Sequence, residues 1–420
     1  MNILIRKAHI QDPFSPHYNT VKDILVVNGI IQAIDDHLDA NGIEVEEKQG
    51  LHVSQGWVDV FANFCDPGYE HKESLETGAA AAAAGGYTNV MLIPNTTPAL
   101  HSKSQVEYII EKSRQLPVYL HPIGAVTRNT EGKELAEMYD MHSYEAVAFS
   151  DGLNAIQSAG LLIKALQYVK AIDGVVIQLP DDRSIAPGGL MNEGVISTRL
   201  GLPGKPAMAE EIMVSRDIEL AIYTDSKLHF TGISSAKSLE LIRRAKNTGA
   251  KITCSVTPYH LYFTDEDLQG YDTNLKVNLP LRTRNDADAL LEAVKDGTVD
   301  CIASHHQPHE WDSKTCEFEY AKPGMISLET CYGVLGSLGI DTLRIIELLS
   351  LKPREIFGLK TQRIEPGSVA DLTLFVPGHE FEFTNADIRS KSRNTPFVGH
   401  KLIGKVIGIV NKDGLYLNKL

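Results

Sequence analysis

The stretch Trp57-Val58-Asp59-Val60-Phe61-Ala62-Asn63-Phe64-Cys65-Asp66-Pro67-Gly68 marks a change in the pattern of the chain. Before it, short strand-like segments flank Asn28-Gly29, a pair typical of a two-residue type I′ hairpin turn. After it, short apolar runs alternate with helix-length segments, as a parallel-sheet α/β protein requires. The main fold is therefore expected to begin at about Trp57.

Eight apolar runs are predicted to be strands, and helices are predicted between most of them. The strands are expected at 57–60, 89–93, 118–124, 146–150, 175–179, 220–223 continuing to 229, 252–256 and 301–304. The helices are expected at 104–115, 155–170, 207–216, 235–248 and 286–295, with a further Ala-rich helix at 79–84 stopped by Gly85-Gly86. This pattern predicts an α/β protein with a (β/α)8 TIM barrel, and a doubly wound open sheet is the alternative.

Strand-like segments return after Gly358, at 371–375 and 405–410. They are predicted to complete a small β-sandwich domain begun by the first fifty residues. The barrel would then be an insertion between the two halves of that domain. The expected division is 1–53 for the N-terminal half, 54–358 for the barrel and 359–420 for the C-terminal half.

The composition excludes several classes of function. Forty Lys and Arg against 54 Asp and Glu give a net charge of 40 − 54 = −14, and no basic block is present, so we expect no nucleic-acid partner. No signal peptide and no run of 18 apolar residues is found, which predicts a cytoplasmic protein without a membrane partner. Five cysteines without a CxxC pair argue against a disulfide framework.

Ordered motifs along essentially the whole chain resemble those of the dihydroorotases, a type I family within the amidohydrolase superfamily. The first is the segment from Asp59 to Gly68, where that family carries Asp-x-His-x-His-x-Arg followed by an acidic residue and Pro-Gly. Others follow the later strands, and they include Pro94-Asn95-Thr96-Thr97-Pro98, Ala148-Phe149-Ser150-Asp151-Gly152, Lys276-Val277-Asn278-Leu279-Pro280-Leu281-Arg282, His305-His306-Gln307-Pro308-His309 and Pro366-Gly367-Ser368-Val369-Ala370-Asp371-Leu372.

The resemblance implies a zinc-dependent cyclic-amide hydrolase, but most of the implied metal ligands are replaced. Degenerate ligand positions are predicted at Phe61, Asn63, Gln178, Gly232 and His305. The last of these takes the place of the aspartate that touches metal and carries the proton. Asp151, matching the family's bridging carboxylate, is the surviving ligand. Neither a phenyl ring nor a glycine offers a lone pair to a metal, so we expect no bound metal and only vestigial catalytic residues, Asp151 and His305.

The substrate-holding positions are partly retained. By resemblance, the substrate-binding residues are Asn95, Asn278, His309, Pro323 and Gly324. The arginine that would clamp the substrate carboxylate is replaced by Cys65, so a two-pronged donor is lost. The prediction at this level is weak binding of a pyrimidine precursor.

Three alternatives stay open at this point. The chain would be an active dihydroorotase or related hydrolase, converting carbamoyl aspartate to dihydroorotate, if Asp151, Gln178, His305 and His306 form a site holding one zinc ion or none. A new metal site would arise if His305, His306 and His309 converge with Asp151. Cys65 would be a nucleophile if a base lies beside it.

The favoured prediction is a dihydroorotase-like pseudoenzyme of pyrimidine biosynthesis. The resemblance implies a partner, because some family members that lack these ligands assemble with aspartate transcarbamoylase. A structural or regulatory subunit for that enzyme is therefore expected, together with a homodimeric state.

Overall fold

The computed structural model describes residues 2–40 and 42–418. The chain begins with five strands of a mixed sheet, namely β1 Asn2–Ile10, β2 Val21–Val27, β3 Ile30–Asp35, β4 Glu44–Glu47 and β5 His52–Gln55. Between β2 and β3, Asn28 and Gly29 both have positive φ (50° and 72°), as a type I′ turn requires. The predicted hairpin is confirmed.

Eight parallel strands then form a nearly closed barrel, in an order that follows the chain. They are β6 Trp57–Ala62, β7 Tyr87–Leu92, β8 Tyr119–Gly124, β9 Ala148–Phe149, β10 Val175–Gln178, β13 Lys227–Phe230, β14 Ile252–Val256 and β15 Cys301–Ile302, with β11 Met191–Asn192 and β12 Gly204–Lys205 pairing outside the barrel. A bridge from Ala62 to His306 joins the first strand to the segment after the last. The predicted barrel is confirmed, and the doubly wound alternative is excluded because the strand order does not reverse.

Helices surround the barrel and follow most of its strands. They are α1 Leu75–Ala84, α2 Lys103–Ser113, α3 Met138–Ser143, α4 Ala159–Lys170, α5 Val195–Leu200, α6 Met208–Thr224, α7 Ala236–Asn247, α8 Pro258–Tyr262, α9 Arg284–Asp296, α10 Cys331–Ser337, α11 Thr342–Ile346 and α12 Lys352–Phe357, with a π-helical turn at Glu347–Leu351. None of the helices in the described residues is both long enough and apolar enough to cross a membrane.

The Ala-rich helix α1 lies close to the barrel, as predicted. An added Cβ on Gly78 would stand 2.5 Å from the Phe64 ring, so only glycine permits this approach. Ser74 and Thr77 form a capping box at the start of the helix, and Gly85 with Gly86 ends it. Gly86 has φ +88°, a conformation that side chains rarely adopt.

One predicted strand segment is wrong. Residues 220–223 form the last turn of α6, and the strand begins only at Lys227. A short apolar run does not by itself distinguish a helix end from a strand. Here the run is split between the two sides of the helix, because Ala221 is buried while Ile222 and Tyr223 are exposed.

The C-terminal strands complete the sheet that the N-terminal strands begin. They are β16 Leu372–Glu382, β17 Lys401–Asn411 and β18 Gly414–Leu417. β16 pairs antiparallel with β5, so the chain returns beside the strand from which it left for the barrel. The terminal segments thus form one β-sandwich-like unit, and the exact boundaries 1–53, 54–358 and 359–420 remain a prediction.

Candidate functional site

A cavity of about 360 Å³ opens at the carboxyl ends of the barrel strands, where barrel proteins place their chemistry. The side chains around it are mixed apolar and polar. They include Phe61, Asn63, Ile93, Asn154, Arg183, Tyr259, Lys276, Asn278, His305 and Gln307, together with Pro323 and Gly324.

His305 and Phe61 fill the floor of this cavity as a stacked pair. Their ring centroids lie 4.5 Å apart with an angle of 28° between the planes. His305 Nε2 lies 2.7 Å from Thr231 Oγ1, so the polar edge of the ring is hydrogen-bonded. Burial, with smaller contributions from His260 and His229, lowers the pKa of His305 to about 3. The ring is therefore a neutral, packed group.

Gly232 leaves the space that the His305 ring occupies. A Cβ added to this glycine would stand 2.7 Å from His305 Cε1 and 3.3 Å from Leu179 Cδ1. Gly232 also has φ +70°. Gly232 and His305 are thus parts of one packing arrangement.

The prediction that Gln178 occupies a degenerate ligand position at the barrel mouth is wrong. Its side chain points away from the cavity toward the helices, where Nε2 donates to Asp217 Oδ2 at 3.0 Å and Oε1 accepts from Ile156 N at 3.2 Å. Successive side chains of a strand point to opposite sides. Val175 and Ile177 face the barrel interior, and the next residue on that side is Leu179, which contacts the Gly232 and His305 region. Leu179 stands at the barrel mouth, and it has no donor atom either.

Asn63 is held by its own neighbours. Its Nδ2 donates to Gln307 Oε1 at 3.2 Å, and its Oδ1 accepts from the Cys65 amide at 2.8 Å. The Cys65 side chain is buried, and burial raises the pKa of its thiol to about 12. A thiol with so high a pKa is not a nucleophile near neutral pH, so the alternative built on Cys65 is not supported.

Two acidic residues near the site hold loops. The Asp151 carboxylate accepts from the Thr127 amide at 2.8 Å and from Thr127 Oγ1, which ties the fourth barrel strand to the loop after the third. The Asp59 carboxylate accepts from Ser304 N and Ser304 Oγ, both at 2.7 Å. Burial raises the pKa of each carboxyl to about 6. Neither residue lines the cavity.

The histidines after the eighth strand do not converge. His306 Nε2 lies 3.4 Å from Glu73 Oε2, and its Nδ1 accepts from Ser327 N at 3.2 Å. His309 donates from Nε2 to the Pro323 carbonyl at 3.0 Å and lines a different cavity. With Asp151 turned toward Thr127, the four residues of the alternative metal site face different partners.

The predicted substrate-binding residues are likewise separated. Asn278, Pro323 and Gly324 line the barrel-mouth cavity, whereas Asn95 and His309 line two others. Asn278 accepts from Lys205 Nζ at 2.9 Å and donates to Asp181 Oδ2 at 3.2 Å. Asn95 donates to the Asp151 carbonyl and accepts from Leu153 N, so its amide braces the loop after the fourth barrel strand.

Sequence reasoning missed several residues of the cavity. Two further residues, Thr231 and Leu179, do not line the cavity but lie against His305 and the Gly232 position beneath it. Thr231 follows a predicted strand and Leu179 ends one, and counting every second residue along each strand would have found both. Lys276 lies two residues before Asn278 in the same motif. Arg183 and Asn154 stand in loops after the fifth and fourth strands, and no pattern distinguishes them from other loop residues.

A zinc ion does not fit these residues. Phe61, Leu179 and Gly232 offer no donor atom, and the His305 ring is engaged with Thr231. Zinc sites need three or four nitrogen, oxygen or sulfur ligands around one point. Within residues 2–40 and 42–418, no group of three or more His, Cys, Asp or Glu side chains is arranged to hold a metal ion.

The fold is that of a class of barrel proteins that includes the hydantoinases. The L-hydantoinase (dihydropyrimidinase) from Arthrobacter aurescens superposes with a TM-score of 0.85 at 21% identity, covering 100% of this chain and 96% of that one. A D-hydantoinase from Bacillus sp. AR9 gives 0.82 at 20% identity, covering 98% and 95%. These likenesses concern the fold alone.

Sequence comparison identifies the family within that class. A family model described as dihydro-orotase-like matches residues 51–238. The dihydroorotase of Pelotomaculum thermopropionicum is 41% identical over 409 residues, and that of Ruminiclostridium cellulolyticum is 39% identical over 415, each alignment covering 96% of both chains. The chain belongs to the dihydroorotase family.

Proposed function

We propose that this chain is a non-catalytic dihydroorotase-like protein of pyrimidine biosynthesis that serves as a structural or regulatory subunit. The observation that supports the proposal most directly is the His305 ring stacked on Phe61 and seated against Gly232. This packing fills the part of the barrel mouth where the family resemblance places the metal ligands and the base.

The chemistry of the family explains why this packing matters. Hydrolysis of a cyclic amide needs a metal to polarise the carbonyl and activate water, and a carboxylate to move the proton. His305 takes the position of that carboxylate, and its lowered pKa makes it a poor proton carrier near neutral pH. Losing general acid-base help alone costs roughly 10²–10⁴-fold in rate.

The alternative of an active hydrolase needs Asp151, Gln178, His305 and His306 to act on one substrate. Gln178 is bound to Asp217 on the outer side of its strand, and Asp151 is bound to Thr127. Their hydrogen bonds hold these side chains away from the His305 ring. The geometry therefore favours the non-catalytic proposal.

Metal content and activity test the proposal together. We expect purified protein to hold far less than one zinc per chain. We also expect its interconversion of carbamoyl aspartate and dihydroorotate to be at least roughly 100-fold below that of the Pelotomaculum thermopropionicum relative assayed in parallel. Near-stoichiometric zinc with activity comparable to the relative's would overturn the proposal.

The proposed partner is aspartate transcarbamoylase, and the proposed oligomer is a homodimer. Co-expression with the transcarbamoylase of the same organism, followed by affinity capture and light scattering, would detect a complex and give its stoichiometry. A change in transcarbamoylase activity on adding this chain would indicate a regulatory role. Absence of both a complex and an effect on activity would refute the partnership.

A further inference from the structure

A second cavity, of about 450 Å³, lies beside the loop that follows the eighth barrel strand. It is formed where residues 309–315 approach residues 391–394 from the segment between β16 and β17. We call it the Lys391 pocket, and its main side chains are His71, His309, Trp311, Lys314, Lys391 and Arg393.

The cations of the Lys391 pocket are held in place without being neutralised. Lys391 Nζ donates to the Glu70 carbonyl at 2.7 Å, and Arg393 Nη1 donates to the Asn385 carbonyl at 2.9 Å. Lys314 Nζ donates to the carbonyls of Thr273 and Lys322. All of these acceptors are main-chain oxygens, which fix the direction of a side chain but carry no full charge. The positive charges of Lys391 and Arg393 therefore stay available, whereas burial lowers the pKa of Lys314 to about 7, so Lys314 adds only part of a charge near neutral pH.

Few acidic groups oppose these charges. Among the described residues, the ion pairs within 4 Å include none of Lys314, Lys391 or Arg393; the nearby pairs are Lys72–Glu310 and Lys405–Asp387. The Glu70 carboxylate is close enough to interact with Lys391: its pKa is lowered first by a hydrogen bond from Gly68 N and also by the charge of Lys391. Glu310 also lines the pocket, but its Oε2 faces Lys72 Nζ at 3.8 Å and its Oε1 accepts from Ser313. In a protein with a net charge of −14, such a pocket is a local attractor for anions.

Two other groups point to the shape of the ligand. Trp311 is 74% exposed at the edge of the pocket, and it presents a large aromatic face to solvent. His309 is 6% exposed, and its Nδ1 has no hydrogen-bond partner although its Nε2 donates to the Pro323 carbonyl. A buried polar atom without a partner costs free energy, which a donor group on a ligand would recover.

We propose that the Lys391 pocket binds a phosphorylated small molecule, with the phosphate on Lys391 and Arg393. Arginine and lysine are the side chains best suited to phosphate oxygens. The phosphate belongs either to free inorganic phosphate or to a nucleoside monophosphate whose base stacks on Trp311. The pocket is separate from the barrel mouth, so this proposal stands whether or not the chain is catalytic.

Intrinsic fluorescence gives a direct measurement, because the chain has two tryptophans and Trp57 is fully buried. Inorganic phosphate, uridine monophosphate, adenosine monophosphate and uncharged uridine are titrated into the intact protein, with calorimetry as a second readout. We expect the monophosphates to bind and to change Trp311 emission, and uridine to bind at least about 10-fold more weakly.

Charge-removing variants locate the binding. We expect Lys391→Gln and Arg393→Gln each to weaken phosphate or nucleotide binding by about 10-fold. Lys164→Gln is the matched control, since Lys164 is an exposed lysine on α4 far along the chain from the pocket. The melting temperature of each variant shows that the fold is intact.

The outcomes separate the two sources of phosphate. If Trp311→Ala weakens the binding of a nucleoside monophosphate but not that of inorganic phosphate, the natural ligand carries a base. If the wild-type protein binds inorganic phosphate and the monophosphates equally well, the pocket recognises the phosphate group alone. No binding at millimolar ligand would overturn the proposal. Equal loss in Lys391→Gln and Lys164→Gln would overturn it too, because the binding would then be unspecific attraction to charge.

Discussion

Gly232 and His305 depend on each other for their conformations. His305 has φ +47°, and its imidazole lies in the space that a side chain at position 232 would need. Phe61 then covers one face of this ring, and Thr231 hydrogen-bonds its Nε2. His305, Phe61 and Thr231 thus stabilise the barrel mouth by packing and hydrogen bonding.

Because Gly232 and His305 depend on each other, we expect Gly232→Ala to lower the free energy of unfolding strongly. An alanine at φ +70° costs roughly 1–2 kcal/mol of backbone strain, and its methyl group would overlap the His305 ring for about 1–3 kcal/mol more. Gly358→Ala is the control, because Gly358 has φ +66° with nothing near its Cβ and should show the backbone cost alone. Urea unfolding measures both variants, and equal destabilisation would contradict the packing argument.

Adding His305→Ala separates the two contributions. In the double variant the ring is absent, so the penalty of Gly232→Ala measured in that background is expected to fall to that of Gly358→Ala. A penalty that stays unchanged would show that the methyl group does not meet His305.

At the level of elements, most strands could be predicted from the sequence. One strand segment and the orientation of one side chain were predicted wrongly, and both errors have the same cause. Residues 220–223 are as apolar as a strand, yet they form a helix end, because Ala221 packs inward while Tyr223 faces solvent. Gln178 was placed at the barrel mouth, although alternation along β10 puts Leu179 there. Composition records which residues are apolar, whereas the side on which each one packs depends on neighbouring elements. Motif order was sufficient to predict the barrel.

Asp59 connects the first and eighth barrel strands, and it makes that connection depend on pH. Burial raises the pKa of its carboxyl to about 6, against hydrogen bonds from Ser304 and the charge of His306 that lower it. Since the ordinary value is 3.8, the folded state holds this proton more tightly than the unfolded state. The resulting stabilisation is complete below about pH 4 and is lost as pH rises through 6.

The variant Asp59→Asn tests this dependence. A shift of this size corresponds to about 3 kcal/mol between the two limits. Buried histidines such as His305 and His229, whose pKa is lowered by burial, act in the opposite direction and destabilise both proteins as the pH falls. The prediction therefore concerns the difference: from pH 7 to pH 5 the wild type should gain part of that amount relative to the variant, because Asn does not titrate. Asp151, whose pKa is raised in the same direction, keeps part of the slope in both proteins. Parallel pH profiles for variant and wild type would refute the assignment to Asp59.

Over the whole molecule, Arg354 joins the barrel to the terminal β unit. Its Nη2 donates to Asp371 Oδ2 at 2.8 Å, next to the start of β16, while its Nη1 donates to the Gly56 carbonyl at 2.6 Å, between β5 and β6. The side chains of Arg354 and Asp371 are almost fully buried, at 1% and 9% exposure. The chain leaves the small sheet for the barrel and returns to it at this point.

The position of this ion pair predicts that Asp371→Ala destabilises the whole molecule. Removing one partner leaves a buried guanidinium without its counter-charge, which costs about 3–5 kcal/mol. The exposed pair of Arg243 and Asp296 is the control, and Asp296→Ala should cost less than about 1 kcal/mol. Arg354 bonds to the barrel and to the terminal β unit, so we expect these two parts to unfold in a single transition in the wild-type protein. In Asp371→Ala, we expect the β unit to unfold at a lower temperature than the barrel. Circular dichroism and Trp57 fluorescence followed together would detect two transitions, and one shared transition with a small loss of stability would contradict the role assigned to Arg354.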